Sequence, residues 1–465
     1  SWALISTPML EIMKKRGQCT VFKAFISGEE LKIVGFAFVD DKDLLRASRP
    51  GEQTYEEVAQ DMQKGLDLWE GLLKVTGGAL VPEKSYWYLI DFEWRNGMWK
   101  YKTTEETQFD LTVKDKDEIQ HVLSRLPVNE ARRSLGCRSA PDGNNKAQVE
   151  YMRSVAVEWG DKLRTGHLTK YEAWTVLTMR VMRTLLYATP ALTITNEEAN
   201  HIMAPILMSV LNVLGMQRHL PRAVVYAPLK YQGLAFPNLY VETGIQHISL
   251  VLQETYRNSP TGKLLRMSIE AAKVEVGVGG PLFMQPFERF GILATESWVK
   301  HTWRFLSEYG ITIEDNVGDI RLRRHGDEFL TRIFVQHGYK GAALKRLNAC
   351  RLFLQVETLS DITTADGRYV LGWALEGCAQ LNPIRYHMWP NQGDPGKQVW
   401  KQWRQMLAEC LCGGYLAHGL LHSLGHWLEK APEEWQWWYA LQEERIYRRL
   451  DGRRHFYSVR RLGRR

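Results

Sequence analysis

Two adjacent carboxylates, Asp40 and Asp41, stand where the run Gly35-Phe-Ala-Phe-Val-Asp40-Asp41-Lys-Asp43-Leu-Leu45 turns from apolar to acidic. The residues before them read as a buried strand, and a second short apolar run follows at once. That is the outline of a β-hairpin with acids at its tip. Such a tip suits Mg²⁺, a hard cation that takes oxygen ligands and combines one or two protein carboxylates with substrate phosphates. Aspartate is also common in solvated turns, so the pair alone leaves a metal site and a plain turn both open. Lys42 follows directly, and a cation beside the carboxylates would weaken metal binding by repulsion.

A second constellation lies near the C-terminus: Cys410-x-Cys412, then His418, His422 and His426. Histidines every four residues share one face of a helix, and with two thiols close by they form a donor set of the kind zinc takes. However, Cys-x-Cys is narrower than the usual zinc knuckle, and Gly413-Gly414 would break a helix between the two groups. A partly buried histidine face is the competing reading. Gly277-x-Gly279-Gly280-Pro281 has no helix after it and reads as a loop, not a phosphate cradle. Asp361 to Gly367 reads as a strand followed by a turn. The 17 tryptophans, Trp435, Trp437 and Trp438 among them, read as packing residues, a few being available to stack on unpaired bases. His-Glu-x-x-His, Gly-x-Ser-x-Gly and a Walker lysine are all absent, which leaves metalloprotease, α/β-hydrolase and P-loop chemistry without support. No carboxylate cluster for a C-terminal endonuclease stands out.

The elements that would carry these residues have clear signals. Thr54-x-x-Glu57, Thr169-x-x-Glu172 and Thr195-x-x-Glu198 each open an apolar run at helical spacing, as a capping box does. Val58, Met62, Leu66, Trp69 and Leu73 then form one apolar face, closed by Gly77-Gly78, and predict a helix over 54–75. Leu31 to Val39 predicts a single buried strand. Tyr86–Trp94 and Met98–Thr103 flank Asn96-Gly97 and predict a tight hairpin. From about Asn144 to Tyr256 the pattern is helical, with amphipathic runs around Tyr151–Leu163, Tyr171–Leu186 and Ala199–Leu214; the last third is mixed.

Composition sets the outer bounds. At 465 residues, with 45% hydrophobic and 24% charged residues, the chain has the balance of folded, soluble globular proteins and room for about three domains. The longest apolar stretch, Ile202 to Met216, falls short of a membrane span, and no signal segment directs secretion. Six scattered cysteines fit free thiols in a reducing compartment. The formal charge of +7 is uneven: residues 441–465 hold nine arginines against three acidic residues, so the other 440 sum to about +1. Electrostatic attraction to nucleic acid is therefore concentrated in the tail or in local grooves.

Phe38-Val39-Asp40-Asp41 resembles the catalytic aspartate signature of reverse transcriptases of the non-LTR retrotransposon type. The order of the following segments fits: the helix over 54–75, then Thr76-Gly-Gly-Ala-Leu-Val-Pro-Glu-Lys84-Ser85, similar to the family's turn before its motif lysine, then a hairpin and Leu135-Gly136-Cys137, like the Leu-Gly element between palm and thumb. Trp2-Ala-Leu-Ile-Ser-Thr-Pro-Met-Leu-Glu-Ile-Met is similar to the helix after the family's nucleotide-positioning motif, and Pro228-Leu-Lys-Tyr-Gln-Gly233-Leu234 resembles a Gly-Leu element found after the thumb. The resemblance covers about residues 1–260.

It implies an α+β fold: the C-terminal half of a polymerase palm sheet over 1–140, a helical thumb or connection over 141–320, and a mixed C-terminal extension with the arginine-rich tail over 321–465. It implies RNA-directed DNA synthesis by Mg²⁺-dependent nucleotidyl transfer, with Asp40 and Asp41 as metal ligands and Lys84 as proton donor to pyrophosphate. The partners would be an RNA template, a DNA primer and deoxynucleoside triphosphates, inside the cell in nucleus or cytoplasm, with no membrane. The chain starts within the nucleotide-positioning motif, so the strand bearing the family's other metal-binding aspartate is missing and the chain alone is expected not to extend a primer. A non-catalytic nucleic-acid-binding or scaffold protein descended from such an element is the alternative; an unrelated magnesium-dependent phosphotransferase is a third.

Overall fold

The computed structural model describes residues 2–38, 41–48, 53–315, 317–382, 388–415, 419–428, 437–440, 445–450 and 453–458. In chain order the first region runs α1 (Trp2–Lys15), β1 (Thr20–Lys23), β2 (Glu30–Ile33), β3 (Gly35–Phe38), β4 (Asp41–Leu44), α2 (Tyr55–Val75), β5 (Tyr86–Trp87), β6 (Phe92–Arg95), β7 (Met98–Tyr101), β8 (Thr112–Lys114), β9 (Gln120–Val122), β10 (Ser124–Arg125), β11 (Arg132–Ser134) and β12 (Cys137–Ser139). Helices follow: α3 (Lys146–Thr165), α4 (Lys170–Val176), α5 (Met182–Leu186), α6 (Asn196–Val213), α7 (Arg222–Tyr226), α8 (Leu239–Glu254), α9 (Pro260–Val276), α10 (Phe287–Phe290), α11 (Trp298–Glu308), α12 (Leu330–Gln336), α13 (Gly341–Leu354), α14 (Gly372–Glu376) and α15 (Lys397–Leu411). Strands β13 (Trp437–Ala440), β14 (Arg445–Leu450) and β15 (Arg453–Ser458) close the order. The fold is α+β. Among the described residues no helix is long and apolar enough to cross a membrane, and all six cysteines are free thiols.

The chain divides into two compact units: residues 1–23, 28–267 and 296–311 form one, and 24–27, 268–295 and 312–465 the other. In the first unit the three predicted capping boxes all form, each threonine hydroxyl accepting the backbone N–H of the glutamate three residues on. Helix α2 buries Leu66, Trp69 and Leu73 on one face. Trp69 and Leu73 share a core with Met9 and Met13 of α1 and Val34, while Leu66 joins Trp87, Leu111, Val113 and Leu123. Helices α4 and α5 are one helix interrupted by a π turn at Leu177–Val181, and Leu177, Val181 and Leu185 pack with Ile202, Ile206 and Val210 of α6 in a dry core.

The strands depart from expectation. Leu31–Val39 is not one buried strand: β2 pairs with β1, β3 pairs with β4, and Val34 lies between them. Phe36 is 56% exposed, so β3 has a solvated face that the apolar sequence did not suggest. Tyr86–Trp94 is also broken. β5 pairs in parallel with β10, and only β6 turns through Asn96 (φ 54) and Gly97 (φ 77) into β7, the double positive φ that an Asn-Gly turn favours. What was expected as one sheet is a set of separate two-stranded ribbons.

In the second unit, Arg351 is fully buried and donates to the carbonyls of Val274, Glu275 and Val356, with Glu357 at 2.8 Å. Lys273, equally buried, pairs with Asp315 and Asp319, each at 2.8 Å. Asp361 sits in a 3₁₀ turn (Leu359–Ile362), not in a strand, because its carboxylate accepts the N–H groups of Glu357 and Thr358 and so closes a turn there. The arginine-rich end forms backbone strands: β13, β14 and β15 make a three-stranded antiparallel sheet in which Arg448 is opposite His455, and Arg449 opposite Arg454.

Candidate active site

The β3–β4 ribbon sets the geometry. Gly35 is opposite Leu44, Phe36 opposite Asp43, Ala37 opposite Lys42 and Phe38 opposite Asp41. Asp40 lies outside the described residues. The ribbon depends on Gly35: a Cβ built there would lie 2.0 Å from the carbonyl oxygen of Asp43, so any side chain would push the strands apart. The hairpin continues through Leu45, whose N–H donates to Val34 at 2.9 Å.

Strand alternation sorts the charges of β4. The Lys42 ammonium lies over the Trp69 ring of α2, 4.4 Å from the centroid, where the π face attracts it. Asp41 and Asp43 share the other side. Both are exposed, yet partial loss of hydration, and next the charge of Asp41, raise the pKa of Asp43, while a hydrogen bond from the Ser134 hydroxyl opposes the shift. Two carboxylates held close enough to disturb each other favour a cation between them.

Tyr86 and Tyr88 face this acidic side. Loss of hydration and the charge of Asp43 raise the Tyr86 pKa, and Tyr88 is pushed up to about 12, again mainly by burial. Their rings meet edge to face at 5.8 Å. The Arg132 guanidinium lies 5.8 Å from the Tyr86 centroid and pairs with Glu130 at 3.1 Å. Tyr88 donates to the Glu130 carbonyl at 2.9 Å.

Ser134 is fixed by the Leu135-Gly136 turn, where φ of 50° and 86° make the two-residue connection of the β11–β12 hairpin. The Tyr187 hydroxyl donates to the Leu135 carbonyl at 2.8 Å, and its ring lies 3.1 Å from where a Cβ on Gly136 would sit. On the other strand, the Arg138 N–H donates to the Gln148 side chain of α3 at 2.7 Å. The Leu-Gly segment therefore holds Ser134 against Asp43 while resting on the helices.

Lys84 ends a 3₁₀ turn, Pro82–Lys84, and is exposed. Among the described residues no hydrogen bond or ion pair joins it to Asp41; the residue of this segment that reaches the aspartates is Tyr86, two positions on. Asp43, Tyr86 and Ser134 were not singled out in the sequence. The signal for Asp43 was the i, i+2 spacing from Asp41, which places both on one face only once the two are known to share a strand.

The cysteine–histidine constellation does not form a helical face. Helix α15 ends at Leu411, and Gly413 and Gly414 both take positive φ. Residues 423–428 run extended beside 323–325, with the Gly425 N–H donating to His325 and the His325 N–H to His426. His426 is exposed on that segment and His422 is exposed just before it, Cys410 and Cys412 are buried, and burial pushes the Cys410 thiol up to about 11. His418 lies outside the described residues. Among the described residues no three histidine, cysteine or acidic side chains converge as a metal site would need. Neither a family model nor any curated protein matches the chain.

Proposed function

We propose that the chain is part of an RNA-directed DNA polymerase of a retrotransposon, with β3–β4 as the metal-bearing hairpin of its palm and α3–α8 as the thumb. The observation that carries this reading is the arrangement of β4, on which Asp41 and Asp43 share one side and the charge of Asp41 acts on Asp43. In this reading Asp40 and Asp41 would hold Mg²⁺, which would supply the charge that nucleotidyl transfer from a deoxynucleoside triphosphate needs. Asp43, hydrogen-bonded by Ser134, would add negative charge on the same side. Lys84, at the end of the Pro82–Lys84 turn, would be the proton donor to pyrophosphate. The Leu135-Gly136 turn, seated on Tyr187, fixes the angle between the ribbon and the helices that follow an RNA–DNA duplex.

The nine arginines of 441–465 favour a second reading, in which the chain binds nucleic acid without chemistry. A labelled RNA–DNA hybrid separates the two. Polymerase ancestry at this site predicts that Mg²⁺ with the next complementary deoxynucleoside triphosphate tightens hybrid binding about tenfold, and that Asp41→Asn removes the gain without changing binding in EDTA. Binding that ignores Mg²⁺ and nucleotide would favour the non-catalytic reading.

A further inference from the structure

The second unit contains a cleft that the polymerase reading does not use. Its volume is about 480 Å³, within the range of small-molecule sites. It opens between the loop after α9, the start of α10 and helix α12. The loop can lie this close because Gly279 has no side chain: a Cβ there would fall 2.4 Å from the Phe329 ring. Phe290 and Phe329, 6% and 7% exposed, form an aromatic floor.

The polar lining is two arginines, two glutamines and one aspartate. Arg289 and Arg332 both line the cleft and are exposed at its mouth. Arg332 has Glu328 at a loose 3.8 Å. Among the described residues, Arg289 has no carboxylate within ion-pair distance. Asp319, the one acid of the lining, is held at 2.8 Å by the buried ammonium of Lys273. Two exposed arginines, of which Arg289 has no carboxylate partner among the described residues and Arg332 only a loose one, over an aromatic floor are complementary to a flat apolar molecule with an anionic end.

We propose that this cleft binds a small organic anion, a flat apolar body bearing a carboxylate or phosphate that Arg289 and Arg332 receive in paired hydrogen bonds while the body lies on Phe290 and Phe329. The site stands independently of the polymerase reading, since no residue of β3–β4 takes part.

Calorimetric titration of the full chain with phenyl phosphate, benzoate and the neutral benzyl alcohol tests it. One or both anions should bind saturably, at least about tenfold more tightly than benzyl alcohol, and the tighter of the two identifies the headgroup. Inorganic phosphate and acetate, which lack the flat body, should bind more weakly than their aromatic counterparts. The double variant Arg289→Ala, Arg332→Ala, which alters only exposed side chains, should lose at least about tenfold in anion affinity with its melting temperature unchanged. Val335→Trp should fill the cleft and block both anions. No saturable binding by either anion, equal binding of benzyl alcohol, or full affinity in the double arginine variant would overturn the proposal.

Discussion

Single side chains decide how the acidic ribbon behaves. Lys42 is adjacent to Asp41 in the chain and its ammonium lies over Trp69 of α2, while one step along the strand reverses the face and puts Asp41 and Asp43 together. Alternation was readable in the sequence; the register that pairs Phe38 with Asp41 was not. A buried histidine gives the residue scale its pH signature. His247 is fully buried, its Nε2 faces the Thr189 carbonyl at 3.0 Å and its Nδ1 the Thr302 hydroxyl at 3.3 Å. Burial holds its pKa down at about 4. The unfolded chain therefore takes up this proton first, and stability falls as pH drops from about 6.5 towards 4, by up to about 3 kcal/mol from this group. Urea denaturation at pH 7, 5.5 and 4 should show that loss, and His247→Gln should remove its share of the slope; an unchanged slope would show that another group titrates.

At the scale of elements, helices were legible and strands only in part. Thr54, Thr169 and Thr195 announced their helices because a capping box is a local device and needs no distant partner. Ribbons of two strands have no second layer to enforce an apolar face, so Phe36 is exposed where the composition of Leu31–Val39 suggested burial. The histidines at 418, 422 and 426 have helical spacing but follow two glycines with positive φ, and a period without a continuous backbone carries no structure. Two substitutions separate these effects. Thr195→Ala should cost about 1 kcal/mol in chemical denaturation and leave metal binding unchanged. Gly35→Ala, which removes no ligand, should weaken metal binding at the hairpin because its methyl group must displace the Asp43 carbonyl. Metal affinity in Gly35→Ala equal to that of the parent would detach the site from the ribbon.

For the whole molecule, the balance of charge was plain in the sequence, whereas the division into two interleaved units was not, because residues 24–27 and 296–311 each belong to a unit assembled from distant sequence. The tail read as a charged terminus, and its backbone forms β14 and β15, with Arg449 opposite Arg454. If these arginines hold nucleic acid through phosphates, deleting 441–465 should weaken RNA and DNA binding alike and flatten the dependence of log affinity on log salt. Retained affinity and slope would move the contact to the first unit. The central claim, that the acidic hairpin holds a divalent metal, is tested most directly by titrating the full chain with Mn²⁺ and following free Mn²⁺ by electron paramagnetic resonance. The account predicts a site displaced by Mg²⁺ and weakened at least about tenfold in Asp40→Asn and in Asp41→Asn; Mn²⁺ binding that is absent, or unaltered in both variants, would contradict it.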